Sequence, residues 1–250
     1  MKSEIYKNYN ILHYKELQST NDEAKKLALS GQLTQNNVII CDIQTKGRGR
    51  MEREWVCGKG NLQFSLVLQP GIGLSKLQQL VFVAINALKE AVSELYGAKN
   101  PLKTPKISKK WPNDLLIDDK KVAGILIESL ISGGKCDFAI IGVGVNIATH
   151  PDKTLFPASS LEESDLKTDK NTVLQKFLDK FTENYQNFLD FGFKKVHNKY
   201  MEDAWRINEE ISINSSGQKN SGIFIGINDN GDVVLNQGGN LIEISIGDVS

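Results

Sequence analysis

The chain has 250 residues, 30 of them basic and 30 acidic, so its formal net charge is zero. This balance excludes a global field that attracts DNA or anionic lipid, and a nucleic-acid role would need a local basic patch. No apolar run approaches the roughly 20 residues that cross a bilayer, and residues 1–10 lack the apolar core of a signal peptide. The three cysteines and three histidines are scattered without metal-ligand spacing, so we expect a reduced, cytoplasmic protein without a structural metal site.

The N-terminal part of the chain predicts a short first strand and a capped helix. Apolar residues at 11–14 indicate the strand. Ser19 and Thr20 each precede a carboxylate by three residues, which is the pattern of a capping box, and Gly31 is expected to end the helix. The two hydroxyls either do no more than cap the helix or also face a pocket.

The segment Gln44–Trp55 is predicted to be a loop between two apolar strands. Gly47 and Gly49 allow a ligand to approach the main chain closely. Three cations in the loop carry planar donor groups that suit carboxylate or phosphate: Arg48, Arg50 and Arg53. Trp55 offers a flat face that can close over a bound group. Taken alone, the segment fits a solvated basic loop or a weak nucleic-acid contact as well as it fits a binding loop for an anionic ligand.

The middle of the chain predicts a long helix followed by a meander of strands. An apolar stripe runs from Leu74 to Leu95, with Gly97 as the expected stop, and a proline-containing connector follows at 100–105. Short turns then separate four predicted strands, which implies antiparallel pairing. They lie at 106–111, 115–117, 121–131 and 136–147.

Two lysines, Lys109 and Lys110, precede a Trp-Pro-Asn-Asp turn. A lysine at a strand end beside a rigid turn can place a point charge on a phosphate or carboxylate. The alternative is a pair of exposed lysines that protects a strand edge from aggregation. Further on, Gly124 interrupts a strand, which suggests a close approach by a ligand or a neighbouring segment.

The C-terminal part predicts two helices, at 171–190 and at 193–204, and then a change of character. After Trp205, short alternating strands are separated by turns rich in Ser, Gly, Asn and Asp. We therefore expect an α+β domain over 1–203 and a small β-barrel over 204–250.

Several segments, in this order, resemble the motifs of the biotin–protein ligases. They are Ser19–Asn21, the loop Gln44–Trp55, Lys110–Asp114, Lys121–Glu128 and Ile141–Asn146. The resemblance covers about residues 10 to 150. It implies the class II synthetase-like biotin/lipoate ligase fold, which has a mixed, largely antiparallel sheet with flanking helices and a small C-terminal SH3-like β-barrel.

The resemblance implies an activity in two half-reactions. Biotin and ATP form biotinyl-adenylate and pyrophosphate, and a lysine of a biotin carboxyl carrier protein then attacks the adenylate. The implied biotin-binding residues are Ser19, Thr20, Asn21, Gln44, Gly47, Arg48 and Gly124. The implied ATP-binding residues are Arg50, Arg53, Trp55, Lys110 and Asn146, of which Lys110 and Arg50 are the implied catalytic residues. Mg²⁺ is expected on the phosphates, held mainly by them.

The chain departs from the family pattern at the tip of the arginine loop. Met51 and Glu52 stand where the family usually has a glycine or another small residue, and Glu54 adds a further carboxylate. These acids weaken the positive field, which leaves the role of Arg53 open. About ten residues precede the first predicted strand, so we expect no helix-turn-helix domain and no specific DNA binding. The resemblance is compatible with a homodimer.

Two alternatives remain at this point. A lipoate–protein ligase has a related fold, but the arginine loop with its tryptophan and the Lys-Trp-Pro-Asn-Asp cluster are those of the biotin family. A module that binds single-stranded nucleic acid could use the same arginines with Trp55 on bases. Zero net charge and the lack of further basic–aromatic interleaving disfavour it.

Overall fold

The computed structural model describes residues 2–73, 76–99, 104–215 and 217–249. The strands in these ranges are β1 (Lys2–Tyr6), β2 (Tyr9–Leu17), β3 (Asn37–Gln44), β4 (Leu62–Leu68), β5 (Ile107–Lys110), β6 (Asp114–Ile117), β7 (Lys120–Ser132), β8 (Lys135–Val145), β9 (Glu210–Ser215), β10 (Gln218–Ile227), β11 (Val233–Gln237), β12 (Asn240–Ile244) and β13 (Asp248–Val249). The helices are α1 (Thr20–Leu29), α2 (Gln79–Lys99), α3 (Lys170–Phe191) and α4 (Phe193–Glu202). Leu74, residues 100–103 of the predicted connector and Ser216 lie outside the described residues.

An eight-stranded sheet with the order β1-β2-β3-β4-β8-β7-β6-β5 forms the larger part of the molecule. Strands β2 and β3 are parallel, because α1 connects them as a crossover. The other neighbouring pairs in this sheet are antiparallel, and β5 to β8 form the predicted meander. The mixed, largely antiparallel α+β class predicted from the sequence is confirmed.

The helices cover both faces of the large sheet. Alternate residues of a strand point to opposite faces, so Val38 and Ile40 join the main core with α2 and α3, while Ile39 joins a smaller core beneath α1. In the main core, the rings of Phe64 and Phe177 meet edge to face at 5.1 Å. The sheet is thus held rigidly from both sides, which fixes the strand ends near α1.

A second, all-antiparallel sheet has the order β12-β11-β10-β9-β13. Its buried side chains belong to the same hydrophobic core as the large sheet. Polar contacts also join the two parts, since the Trp111 indole donates to the Gly231 carbonyl at 2.9 Å and Gln79 donates to the Asp229 carbonyl at 2.8 Å. The small C-terminal β unit is therefore firmly packed on the rest, while the boundary at 203/204 stays a prediction.

Several element bounds differ from the predictions. The strand predicted at 11–14 is the longer β2, and β1 precedes it; β1 is mostly exposed and polar, so it carries no apolar pattern. Gly97 does not stop α2, which continues to Lys99 because the buried Tyr96 ties its last turns to the core. Strand β13 was not predicted, since two residues carry no periodicity. None of the described helices is long and apolar enough to span a membrane.

Candidate active site

Two adjoining cavities lie beside the arginine loop. The sheet cavity is lined by the start of α1, the end of β3 and the glycine-containing parts of β7 and β8, and it encloses about 790 Å³ including the solvent at its mouth. The junction cavity, about 1810 Å³ on the same measure, lies between the loop, the end of β5, residues 151–158 and the C-terminal sheet. The residues that line both cavities are Arg53, Glu54, Trp55, Asp114, Lys121 and Asp248.

The wall of the sheet cavity at α1 is a closed hydrogen-bond network. Gln44 Oε1 accepts from the Thr20 amide at 2.8 Å and from the Thr20 hydroxyl at 3.2 Å. The hydroxyl of Ser65, fully buried on β4, lies 2.8 Å from Thr20 Oγ1 and 2.5 Å from Asn21 Oδ1. Ser19 caps α1 by accepting from the Asp22 amide, as predicted. These side chains hold one another in place without a ligand.

The same network continues outward to the arginine loop. Asn21 Nδ2 donates to Glu128 at 2.8 Å, and Glu128 also pairs with Lys25 and, at 3.2 Å, with Arg48. Arg48 makes a second, two-nitrogen contact with Asp22, both distances being 2.6 Å. The guanidinium holds the pKa of Asp22 below its usual value. The first arginine of the loop is therefore neutralised by carboxylates of the chain itself.

The loop folds into a small hairpin. Trp55 donates its amide to the Gly47 carbonyl at 2.9 Å, and the Gly49 amide donates to the Arg53 carbonyl at 2.7 Å. At the tip, Met51 and Glu52 have φ values of 53° and 59°. Two consecutive left-handed residues are what a type I′ turn requires, and side chains other than Gly or Asn cost about 1 kcal/mol each there. The departure from the family pattern thus falls on the strained tip of this hairpin.

Trp55 separates the two cavities. Its ring lies so close to the backbone of β7 and β8 that a Cβ built on Gly144 would sit 2.3 Å from Trp55 Cε2, and one on Gly124 would sit 3.2 Å from Cζ3. Glycine at 144 is therefore required by this contact. Lys121 Nζ lies 5.4 Å from the ring centroid and pairs with Asp114 at 2.7 Å.

Lys110 projects into the junction cavity from the end of β5. It is 6% exposed, and its Nζ lies 4.1 Å from the ring centroid of Phe156 and 5.9 Å from that of Trp205. Among the described residues, no carboxylate or carbonyl forms an ion pair or hydrogen bond with this ammonium. Burial lowers the pKa of Lys110, since the charged form is poorly solvated there.

Lys109 points into the protein core instead. Its Nζ donates to Asn86 Oδ1 at 3.1 Å and to the Lys199 carbonyl at 2.6 Å, and it lies 3.5 Å from Asp203. Burial lowers the pKa of Lys109 to about 8. The two lysines are thus both buried, so the alternative of exposed, edge-protecting lysines is wrong.

The remaining loop arginines reach the C-terminal sheet. Arg50 Nη1 donates to the Gly247 carbonyl at 3.3 Å, and its guanidinium lies 5.9 Å from the Trp111 ring centroid. Both terminal nitrogens of Arg53 donate to the carboxylate of Asp248. Of the three arginines, Arg50 is the one whose contacts among the described residues include no carboxylate.

Asn146 lies at the end of β8 on the wall of the junction cavity, 3% exposed. Its Nδ2 donates to the Ser159 carbonyl at 3.1 Å, while its buried Oδ1 has no hydrogen-bond partner among the described residues. An unpaired buried acceptor costs about 1–3 kcal/mol. A ligand group with an N–H donor would recover that free energy.

The structure brings the predicted site residues together around the two cavities. Those that line the sheet cavity are Ser19, Thr20, Asn21, Gln44, Arg48, Arg50, Arg53, Trp55 and Gly124. Those that line the junction cavity are Arg53, Trp55, Lys110 and Asn146. Gly47 lines neither cavity and lies between Gln44 and Trp55 at the base of the hairpin.

Three residues of the site were missed by sequence reasoning: Ser65, Phe156 and Asp248. Glu128 ends the motif Lys121–Glu128, but the sequence assigned it no role. A polar residue inside the apolar run of β4 was a usable signal for Ser65. Nothing near Asp248 gives such a signal, because only the tertiary fold brings the C-terminal strand β13 to the loop.

Comparison with known proteins places this site in a family. The model of the Biotin/lipoate A/B protein ligase family matches residues 14–146, more than half of the chain. The biotin–[acetyl-CoA-carboxylase] ligase of Paracoccus denitrificans is 37% identical over 226 residues, which cover 87% of this chain and 90% of that protein. The bifunctional ligase/repressor of Bacillus subtilis is 31% identical over 94% of this chain and 71% of its own length.

Among solved structures, the biotin protein ligase from Aquifex aeolicus in complex with biotin and ATP superimposes with a TM-score of 0.78. The two chains are 29% identical, and the match covers 98% of each. The chain belongs to the biotin/lipoate protein ligase family. Within that family, the relatives just described are biotin ligases.

Proposed function

We propose that the chain is an ATP-dependent biotin–protein ligase that converts biotin to biotinyl-5′-AMP and transfers the biotinyl group to a lysine of a biotin carboxyl carrier protein. The family membership and the biotin-ligase relatives support this activity. The observation that carries the proposal is the pair of adjoining cavities, one with a closed polar network and one with an unpaired cation and an unpaired acceptor. Such a pair suits two different substrates that must react with each other.

Biotin occupies the sheet cavity in this proposal. Its ring ureido group offers both donors and acceptors, which match the side chains of Ser19, Thr20, Asn21 and Gln44 at the start of α1 and the end of β3. Gly124 lines the opposite wall, beside the ring of Trp55. The base of the hairpin, at Gly47 and Arg48, lies beside the carboxylate end of biotin. That end points toward the junction cavity.

ATP occupies the junction cavity. The free Oδ1 of Asn146 accepts from the exocyclic amine of adenine, and the ring of Trp55 covers the bound nucleotide. Lys110 and Arg50 supply charge at the phosphates, while Arg53 lies at the boundary between the cavities, paired with Asp248. Among the described residues no group of three or more His, Cys, Asp or Glu side chains could hold a metal ion. In this proposal Mg²⁺ is held mainly by the phosphates.

The chemistry follows from this placement. An oxygen of the biotin carboxylate attacks the α-phosphorus, and the bond to pyrophosphate breaks, which leaves the mixed anhydride. Two anions must approach each other for this step, so fixed cations lower the barrier by stabilising the developing charge. The neutral amine of the acceptor lysine then attacks the biotinyl carbonyl, AMP leaves, and the amine loses its proton.

The proposal is tested by incorporation of labelled biotin into a carboxylase carrier domain, with ATP present and with ATP omitted. ATP-dependent labelling of one lysine is the expected result. Labelling with lipoate in place of biotin would identify the related ligase class instead. Sequence-tolerant binding of single-stranded RNA at physiological salt, without biotinylation, would favour the nucleic-acid alternative; the carboxylate partners of Arg48 and Arg53 argue against it. Cytoplasmic location and homodimer formation stay predictions.

A further inference from the structure

The C-terminal strand β13 contributes one carboxylate to the site. Asp248, at the start of β13, lines both cavities and receives two hydrogen bonds from Arg53, the one from Nη1 at 3.1 Å. The preceding residue, Gly247, accepts from Arg50 at 3.3 Å. Two consecutive residues of the C-terminal sheet thus hold two of the three loop arginines.

The support under Asp248 is rigid. Its strand pairs with β9, where Asp248 lies opposite Asn214 and Val249 lies opposite Ile213. A Cβ on Gly247 would sit 2.5 Å from Ile213 Cγ2 and 2.9 Å from the Asn214 carbonyl oxygen, so the backbone rests directly on β9. Ile213 is fully buried in the core that joins the two sheets. The carboxylate is therefore presented from a fixed position.

The loop depends on such outside contacts. Its hairpin tip is strained at Met51 and Glu52, and Met51 is exposed, so the tip gains little from packing. At one end Arg48 is held by Asp22 and Glu128, and at the other end Arg53 is held by Asp248. Arg50 lies between these two anchors and keeps its charge free of carboxylates among the described residues.

We infer that Asp248 is a positioning residue: through Arg53 it anchors the arginine loop to the C-terminal sheet, so that Arg53 holds the loop and Arg50 faces the substrates. This assignment gives Arg53 a role other than that of a phosphate ligand. The test of the inference by enzyme activity rests on the proposed function. Loss of the anchor loosens the arginine loop, which lies between the two cavities where the adenylate forms. The adenylate then escapes to water before transfer more often.

Asp248→Asn removes the charge and keeps the shape. We expect amide exchange across residues 47–55 without ligands, and the ratio of released to transferred biotin, each to rise about 2- to 5-fold, the range for one partly exposed ion pair. The KM for ATP should stay unchanged. Asp248→Glu should restore both values in large part. Glu210→Gln, an exposed charge loss on neighbouring β9, is the matched control.

The reversed pair, Arg53→Asp with Asp248→Arg, separates the two roles of Arg53. If Arg53 anchors the loop, the reversed pair should recover most of the loss seen with Arg53→Asp alone. Equal defects in the single and reversed variants, or a lower KM for ATP in Asp248→Asn, would show that Arg53 binds phosphate and would overturn the inference. The exchange measurement needs no activity, so a chain that exchanges as expected but makes no adenylate contradicts the proposed function and leaves the anchor intact.

Discussion

The two cavities that meet at Trp55 differ in how far the protein satisfies its own polar groups. In the sheet cavity, Thr20, Asn21, Gln44 and Ser65 bond to one another. In the junction cavity, by contrast, the side-chain oxygen Oδ1 of Asn146 lacks a hydrogen-bond partner among the described residues, and the ammonium of Lys110 contacts aromatic rings.

The difference predicts how each cavity binds. The closed network keeps the sheet cavity in one shape before any ligand arrives, so little conformational freedom is lost on binding. The junction cavity instead holds buried groups that are costly to leave unpaired, and a nucleotide recovers that cost. Variants at the two sites should therefore fail in different ways.

The largest effect is expected at Lys110. Lys110→Ala removes the unpaired cation, and adenylate formation should fall by about 100-fold or more, as for loss of one preorganised charge in a reacting site. A single-turnover assay for biotinyl-adenylate measures this, with thermal unfolding to check the fold. Adenylate formation near the wild-type rate would remove Lys110 from the chemistry.

Lys109 lies next to Lys110 on the same strand, but its ammonium has hydrogen-bond partners. Its folded-state pKa is lowered from 10.5 to about 8, so between these pH values the unfolded chain binds more protons and the free energy of unfolding rises with pH. The Lys109→Met variant lacks this rise in the free energy of unfolding with pH. The wild type should gain about 1–3 kcal/mol relative to the variant between pH 8 and 10.5. Denaturant unfolding across that window measures it, and parallel curves would contradict it.

Asn146→Ala tests the unpaired acceptor. The KM for ATP should rise about 10-fold, the equivalent of one hydrogen bond of about 1.4 kcal/mol, while the KM for biotin stays the same. Asn184→Ala is the matched control, because that buried amide is already bonded to Glu90 and the Lys180 carbonyl. It should lower stability without changing either KM.

Ser65→Ala removes one member of the hydrogen-bond network in the wall of the sheet cavity. Ser65 does not line the junction cavity. Thr20 and Asn21 lose a shared partner, so the KM for biotin should rise about 3- to 5-fold, in line with one neutral hydrogen bond. Thr182→Ala removes a hydroxyl paired with Tyr9 away from both cavities and is the control. A Ser65→Ala enzyme with an unchanged KM for biotin would show that the network does not shape the biotin site.

The smallest effect concerns the loop between the cavities. Glu52→Gly relieves the left-handed strain at the hairpin tip, worth about 0.5–1 kcal/mol after the entropy cost of glycine. Amide exchange at Gly49 and Trp55 should slow, and adenylate escape should fall by less than about 3-fold. Glu52→Gln removes the same charge but keeps the strain, so it should change neither value.

Much of the fold was predictable because its long elements carry clear patterns. The meander of β5 to β8 follows from apolar runs separated by tight turns, and α1 from its caps. The site motifs were also visible, since Gly, Arg, Lys and Trp stand in local runs. The pairing of Arg53 with Asp248 was not predictable, because 195 residues separate the partners along the chain. The sequence likewise did not show that Lys109 points into the core and Lys110 into the junction cavity, because this depends on which face of β5 meets α2 and α4.

The most direct test of the account is a crossed measurement of both Michaelis constants in one assay. Biotinyl-adenylate formation is followed in the wild type, Ser65→Ala and Asn146→Ala, with biotin and ATP varied in turn. The division between the cavities predicts that Ser65→Ala raises the KM for biotin alone and that Asn146→Ala raises the KM for ATP alone. If each variant raised both constants by the same factor, the two cavities would act as one site and the division would be wrong.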